Sequence, residues 1–261
     1  MNLVLGIDIG GSGVKGAMVD LSNGTLASER CRIPTPRPST PKAVGQVVLQ
    51  LSEKIRNSVS APAEGPVGLT VPAPVVHGVV PMIANLDQSW TNLPVERYFS
   101  KRIPGDVNVV NDADAAGIAE VLYGAAKNRN GVVIVTTLGT GIGTAVINNG
   151  ELVPNTELGH LEIDGKDAET LAAASRITAE NISMSEWAGR LDRYYQTLEK
   201  LFWPDLIVVG GSISKQHRDY LPLLHLRTPI VPAKLRNQAG IVGAAWLADQ
   251  AAARKADRKR K

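Results

Sequence analysis

The sequence predicts an α/β fold built as two related α/β blocks that face each other, and three observations predict it. An apolar run leading into "DIGGSGVKG" (residues 8–16) is followed by "AMVD" and then by Asn23-Gly24, a strong short hairpin signal. The same order returns in "VVIVTT" (132–137), "LGTGIG" (138–143), "TAVI", Asn149-Gly150 and "ELV". In both places strands come first and helices afterwards, so a unit of strand, glycine turn, strand, Asn-Gly turn and strand has been used twice. A chain of 261 residues, 44% of them hydrophobic, can bury a core in each block.

The first block opens with a strand over 3–9, and its hairpin strands run to about residue 33. A Pro-rich connection, "PTPRPSTP" (34–41), precedes a helix in which Val44, Val47, Val48, Leu51 and Ile55 recur at helical spacing. "PVGLTVPAPV" (66–75) reads as a buried strand ending in a loop whose direction Pro72 and Pro74 set. "DVNVVND" (106–112) is a short strand entering the helix "ADAAGIAEVLYG". In the second block the hairpins of 132–153 are followed by a polar loop, a helical stretch from about 177 to 202, and "PDLIVVGGSIS" (204–214), a strand, a double-glycine turn and a helix. An alanine-rich helix covers 238–253, and "RKADRKRK" (254–261) reads as a frayed, solvated basic tail.

Gly11, Gly13 and Gly16 fit the dinucleotide-binding spacing G-x-G-x-x-G. That fingerprint requires a helix after the glycines, so that its N-terminus meets a pyrophosphate, and here a strand follows instead. A Walker A loop is excluded as well, because Lys15 is followed by Gly16 and not by Ser or Thr. A glycine turn between strands still presents backbone N–H groups to a polyanion, with no side chain in the way.

Composition narrows the function classes. Cys31 is the only cysteine, which rules out an intrachain disulfide and a multi-cysteine metal site. The start "MNLVLGIDIGG" lacks the pattern of a secretion signal and no apolar run is long enough to cross a bilayer, so a cytoplasmic protein with no membrane partner is expected. The net charge of +3 leans basic, but six basic residues lie in the tail without interleaved aromatics, which argues against a nucleic-acid partner.

Asp8-x-Gly10-x-x-x-x-Lys15, "LGTGIG", "NDADAAG" (111–117), "ELGH" (157–160) and "LRTPIVPAKLRNQAGIVGAA" (226–245) together resemble the ROK family (repressors, open reading frames and kinases) of the actin-like sugar-kinase superfamily. The likeness covers nearly the whole chain and is greatest to the polyphosphate glucokinase branch. It implies an actin-like (ribonuclease H-like) duplicated fold, with a small N-terminal domain of 1–112 joined by the closing helix 238–253, a larger domain of 113–237, and a cleft between them. It also implies phosphoryl transfer to the 6-hydroxyl of glucose, and of mannose, from inorganic polyphosphate and ATP, with Mg²⁺, by a homodimer whose domains close on the hexose. The alternatives are an ATP-only hexokinase of the same family and a non-catalytic sugar-sensing member. The sensing members carry an N-terminal helix-turn-helix, for which a strand beginning at residue 3 leaves no room. An actin-like filament or chaperone ATPase is a third class, but it has no need of the polar residues in "NDADAAG" and "ELGH".

A sugar hydroxyl is a poor nucleophile at neutral pH, so phosphoryl transfer to it benefits from a carboxylate that accepts the proton. Asp112 stands where strand meets helix, and pattern alone fits either a helix cap or such a base. The resemblance implies the base, with Asn111 beside it as a sugar contact and Asp114 as the fallback. Glu157 and His160 in "NTELGHLEID" suit vicinal hydroxyls, with a surface charge cluster or a metal site as the blander alternatives. The resemblance implies sugar binding by Glu157, His160 and Glu169, with Glu162 outside the contact shell and Asn85 as a further sugar residue. Many ROK proteins bind zinc through this histidine and a downstream cysteine cluster; the cluster is missing here, so no zinc is expected. For the donor, the resemblance implies Gly10, Gly11, Ser12, Gly13 and Lys15 on one turn, Thr137, Gly139, Thr140 and Gly141 on the other, and Gly210 and Gly211 on the adenosine side. Asp8 would hold Mg²⁺ through water. Arg176, Arg190, Arg193, Lys200, Lys215 and Arg218 are candidates for a basic track along a long polyanion.

Overall fold

A computed structural model of the chain describes residues 2–59 and 64–260. The chain divides into two compact units, Met1–Ala119 with Gln238–Lys261, and Glu120–Asn237. The division falls inside the helix that starts at Asp112, beyond the boundary at 112 expected from sequence, because the alanines of its first turns are buried in the first unit.

In the first unit, β1 (Leu3–Ile9) and β2 (Val14–Asp20) are antiparallel and close on the glycine turn, with Ile9 opposite Val14. Next come β3 (Thr25–Leu26), β4 (Cys31–Ile33), α1 (Pro41–Val59), β5 (Pro66–Val71), α2 (Val95–Ser100), β6 (Asp106–Asn111) and α3 (Asp112–Tyr123). The sheet runs β3-β2-β1-β5-β6, with β4 paired to β2 and with β5 and β6 parallel to β1. Val44, Val48, Leu51 and Ile55 of α1 are fully buried on the core that this sheet builds. The loop between β2 and β3 spans Leu21–Gly24, longer than a two-residue Asn-Gly turn, because the Asp20 carboxylate accepts from the Ser22 N–H and the Asn23 side chain accepts from the Thr25 N–H.

The closing helix, Ala239–Arg260, lies on the other face of this sheet. It approaches so closely that a Cβ at Gly6 would strike the carbonyl of Ile241 and one at Gly68 that of Ala244, while Gly243 rests on the carbonyl of Ala115. Glycine at these three positions lets backbone meet backbone. The basic tail is not frayed: the helix runs on to Arg260, and Lys255 is ion-paired with Glu96 (3.6 Å) and Asp106 (3.5 Å).

The second unit repeats the plan. β7 (Val132–Leu138) and β8 (Ile142–Asn148) are antiparallel about the second glycine turn, and β8 turns at Asn149-Gly150, both with positive φ, into β9 (Glu151–Val153). After the short pair β10 (Glu162–Ile163) and β11 (Lys166–Asp167) come α4 (Glu169–Ala172), α5 (Ser175–Ala179), α6 (Met184–Phe202), β12 (Leu206–Gly210), α7 (His217–Tyr220) and β13 (Ile230–Pro232). The helical stretch expected over 177–202 is thus two helices, broken at Asn181 with φ +52° and restarted at Ser183, whose hydroxyl accepts from the Glu186 N–H. The helix expected after the double glycine is a 3-10 turn, Ser212–Gln216, followed by the single turn of α7. The sheet order β9-β8-β7-β12-β13 matches β3-β2-β1-β5-β6 strand for strand, which is the duplication the sequence predicts.

Candidate active site

In the first unit the parallel strands β1, β5 and β6 end on one sheet edge, where Asp8 is in register with Thr70, and Val71 with Asn111. In open α/β sheets ligands bind outside the carboxyl ends of the strands. Two strand spacings separate β1 from β6, about 10 Å.

Asp8 is held from several sides. Its Oδ1 accepts from the Thr70 hydroxyl (2.9 Å), its Oδ2 is ion-paired with Lys15 Nζ (3.3 Å), and Gly240 in the first turn of the closing helix lies against it. Its carboxylate is 18% exposed, so it meets solvent on one side only. The Gly10 N–H closes the turn onto the Gly13 carbonyl (3.1 Å). The carbonyls of Gly10, Gly11 and Ser12 accept from the Thr35 hydroxyl (2.5 Å), Arg37 Nη2 (3.2 Å) and Arg32 Nη2 (2.9 Å) respectively. Asn85 is exposed, and its backbone carbonyl covers Gly11 so closely that a Cβ there would sit 3.0 Å from it.

At the end of β6 the Asn111 side chain caps the following helix. The Asn111 side-chain oxygen accepts from the N–H groups of Ala113 (2.7 Å) and Asp114 (3.1 Å), and Asn111 is 6% exposed. This commits the oxygen of a residue expected to contact sugar to the backbone. Asp112 is partly exposed, whereas Asp114, the fallback base, is 2% exposed.

In the second unit β7 and β12 are parallel with Thr137 in register with Gly210. Gly211 has φ +82° and abuts the Leu138 carbonyl, which brings the double glycine to the start of the second glycine turn. That turn is fixed by a hydrogen bond from the Gly139 N–H to the Gly141 carbonyl (3.0 Å). Ser175 adds two more, from its N–H to the Gly139 carbonyl (3.0 Å) and from its hydroxyl to the Thr140 carbonyl (2.8 Å). Glu169, at the start of α4, accepts from the Ile142 N–H (3.0 Å), so one oxygen of this expected sugar ligand braces the turn.

Glu157, Gly159 and His160 are placed by β8. The Thr144 hydroxyl donates to the Thr156 carbonyl and accepts from the Leu158 N–H (3.0 Å). Gly159 packs on the Ile142 carbonyl with no room for a Cβ. Burial pushes the Glu157 carboxyl above its ordinary range; Glu169 adds to the rise and His160 opposes it. His160 Nδ1 is 2.8 Å from Asp167 Oδ2, and this contact is the main cause of an imidazole pKa above the ordinary 6.5, with burial opposing it and the charges of Glu169, Asp167 and Glu157 adding to it. The two-residue turn Asp164-Gly165, both at positive φ, folds β11 back beside β10 and so carries Asp167 to His160. Glu162 is exposed, in register with Asp167.

Because the folded-state pKa of His160 is raised, the stabilisation from its contact with Asp167 is fully present below pH 6.5 and is lost as pH rises through the higher folded value. Asp167→Asn is therefore expected to return the His160 titration, followed by NMR of the imidazole, toward 6.5. An unchanged midpoint contradicts the contact.

The residues that sequence reasoning missed are Thr70 on Asp8, Thr35, Arg32 and Arg37 on the first turn, Ser175 on the second, and Asp167 on His160. The hairpin dipeptide Asp164-Gly165 signals the last of these. Two members of the proposed basic track are neutralised: Arg190 pairs with Glu180 (2.7 Å) and Glu186 (3.1 Å), and Arg193 with Asp164 (2.8 Å).

The duplicated sheet order and the glycine turns at matching strand ends define the actin-like class of sugar kinases. The model of the ROK family matches residues 4–172, and the chain belongs to that family. It is 46% identical over 241 residues to the polyphosphate glucokinase of Mycobacterium tuberculosis (strain CDC 1551 / Oshkosh), a match covering 92% of this chain and 89% of that protein. Among solved structures it is similar to the inorganic polyphosphate/ATP-glucomannokinase of Arthrobacter sp. strain KM, with a TM-score of 0.92 and 51% identity over 95% of this chain and 99% of that one. The ROK family glucokinase of Streptomyces griseus, solved with glucose and AMPPNP, shares the fold at a TM-score of 0.82 and 24% identity, over 95% of this chain and 100% of that one.

Proposed function

We infer that this chain is a glucokinase that transfers a phosphoryl group from inorganic polyphosphate to glucose, with ATP as a second donor and mannose as a second sugar. The identities to the polyphosphate glucokinase and to the glucomannokinase support the donor and the sugar. The observation that carries the chemistry is the strand-end edge of the first unit. There Asp8 and Lys15 flank a glycine turn, and Asp112 lies two strands away at the start of a helix capped by Asn111.

In this reading Asp112 accepts the proton of the 6-hydroxyl as the bond from O6 to phosphorus forms and the phosphoanhydride bond of the donor breaks. The leaving group is a polyphosphate shorter by one unit, or ADP. Lys15 and the N–H groups of Gly11, Ser12 and Gly13 offset charge on the donor phosphates. The family resemblance gives Thr137, Gly139, Thr140, Gly141, Gly210 and Gly211 of the second unit a donor role as well. Glu157, His160 and Glu169 take sugar hydroxyls: Asp167 on Nδ1 fixes the His160 ring, leaving Nε2 for a hydroxyl. Asp8 fits Mg²⁺, which is held by one carboxylate with phosphates and water; bound there, the ion would offset donor charge. Among the described residues no group of three or more His, Cys, Asp or Glu is placed to hold a metal ion. No helix among the described residues is long and apolar enough to cross a membrane.

The test is formation of glucose 6-phosphate in nucleotide-free buffer with long-chain polyphosphate, and separately with ATP. Product is expected with both donors. Product with ATP alone reduces the chain to an ATP hexokinase, and glucose binding without product makes it a sensor.

A further inference from the structure

We propose that Arg32 and Arg37 form a cationic flank of the first glycine turn that holds phosphates beyond the transferred one, and so select an inorganic polyphosphate chain over a nucleotide. The proposal rests on the reading of Gly10–Gly13 as the donor turn.

Register places Asp8 opposite Lys15 on β1 and β2, and Lys15 opposite Arg32 on β2 and β4. Directly opposed residues of antiparallel strands point to the same face, so a carboxylate, an ammonium and a guanidinium form one row across the sheet. Asp8 offsets Lys15 at 3.3 Å, and Arg32 adds a second cation beside the pair. Like charges directly opposite each other are unfavourable, and an anion lying along the row removes that cost. Among the ion pairs of the described residues, neither Arg32 nor Arg37 has a carboxylate partner.

Both guanidiniums are anchored rather than waving in solvent. Arg32 donates to the Ser12 carbonyl (2.9 Å) and Arg37 to the Gly11 carbonyl (3.2 Å). Arg32 also lies so flat on the turn that a Cβ at Gly13 would stand 2.7 Å from its Nε. Carbonyl oxygens along a turn repel phosphate; capped by guanidiniums, the same edge attracts it. A guanidinium has five N–H donors in a planar fork, so one spent on a carbonyl leaves the others for phosphate oxygens. Two such forks side by side suit successive phosphates of a chain, whereas ATP offers three phosphates and then an uncharged nucleoside. Both side chains are exposed, which lets a long chain reach them and makes the attraction sensitive to salt.

The experiment compares kcat/KM for long-chain polyphosphate and for ATP, at saturating glucose, in wild type, Arg32→Gln, Arg37→Gln and the double variant. The ratio of polyphosphate to ATP is expected to fall about tenfold for each arginine removed, mostly through the polyphosphate KM. The double variant should also show a shallower dependence of that KM on salt. An unchanged ratio, whether both donors suffer equally or neither does, overturns the proposal. Should the double variant be inactive with both donors, Arg32→Lys and Arg37→Lys, which keep the charge but lose the fork, are read by the same ratio. Polyphosphate turnover in the wild type reports separately on the donor reading, so a wild type that uses only ATP sinks that reading and not merely the arginines' part in it.

Discussion

Asp112→Asn is expected to lower kcat for glucose phosphorylation about a thousandfold, within the range that a positioned general base contributes, while glucose binding measured by calorimetry changes little. The start of α3 keeps its cap in this variant. An aspartate at the head of a helix is often there as the cap, and its loss then weakens the helix. Here the cap is the Asn111 side chain, which accepts from the N–H groups of Ala113 and Asp114. Among the changes that Asp112→Asn makes is the loss of a charge in the first turn of α3, about 0.3–1 kcal/mol of dipole interaction. A kcat within tenfold of wild type removes Asp112 from the role of base.

Gly159→Ala is expected to lower kcat/KM for glucose about a hundredfold, the scale of loss when reacting groups are misplaced by about 1 Å. The Cβ of residue 159 would collide with the Ile142 carbonyl and lie 3.0 Å from the Ile142 Cβ. Ile142 opens β8 and is paired with Leu138 across the second glycine turn, so it has no freedom to retreat. The short 3-10 turn Leu158–His160 must move instead, and with it His160 and the adjoining Glu157. Because the displaced residues are those assigned to sugar hydroxyls, the glucose KM should rise steeply. A glucose KM equal to that of wild type would detach Glu157 and His160 from the sugar.

The architecture was legible because its signals are local. Each glycine turn, the Asn149-Gly150 step and the spacing of Val44, Val48, Leu51 and Ile55 can be read within a few residues, and they give the antiparallel hairpin at the head of each unit. What stayed hidden depends on register and on side chains that return from distant segments. Nothing near Asp8 announces Thr70, which reaches it only because β5 lies parallel to β1 in that register. Arg32 and Arg37 look like surface charges in a Pro-rich connection until β4 pairs with β2 and brings them to the turn. The tail shows the opposite error. Its composition suggests a solvated end, yet the alanine-rich helix ahead of it carries Lys255 to Glu96 and Asp106 and continues to Arg260. Gly6, Gly68 and Gly243 read as ordinary glycines, and only the closing helix explains them. The competition between cap and base at Asp112 could not be settled from sequence, since both residues of Asn111-Asp112 are good caps.

The central claim is that the strand-end edge of the first unit carries out the transfer, with donor phosphates on the Gly10–Gly13 turn and the sugar's reacting hydroxyl at residue 112. The Asp112→Asn protein, slowed enough to hold unreacted substrates, allows this to be seen in a crystal grown with glucose and a short polyphosphate. Phosphate density on the N–H groups of Gly11, Ser12 and Gly13, with the 6-hydroxyl within hydrogen-bond distance of the substituted residue 112, is the predicted result; phosphates bound away from that turn, or a sugar whose 6-hydroxyl points away from residue 112, would contradict it.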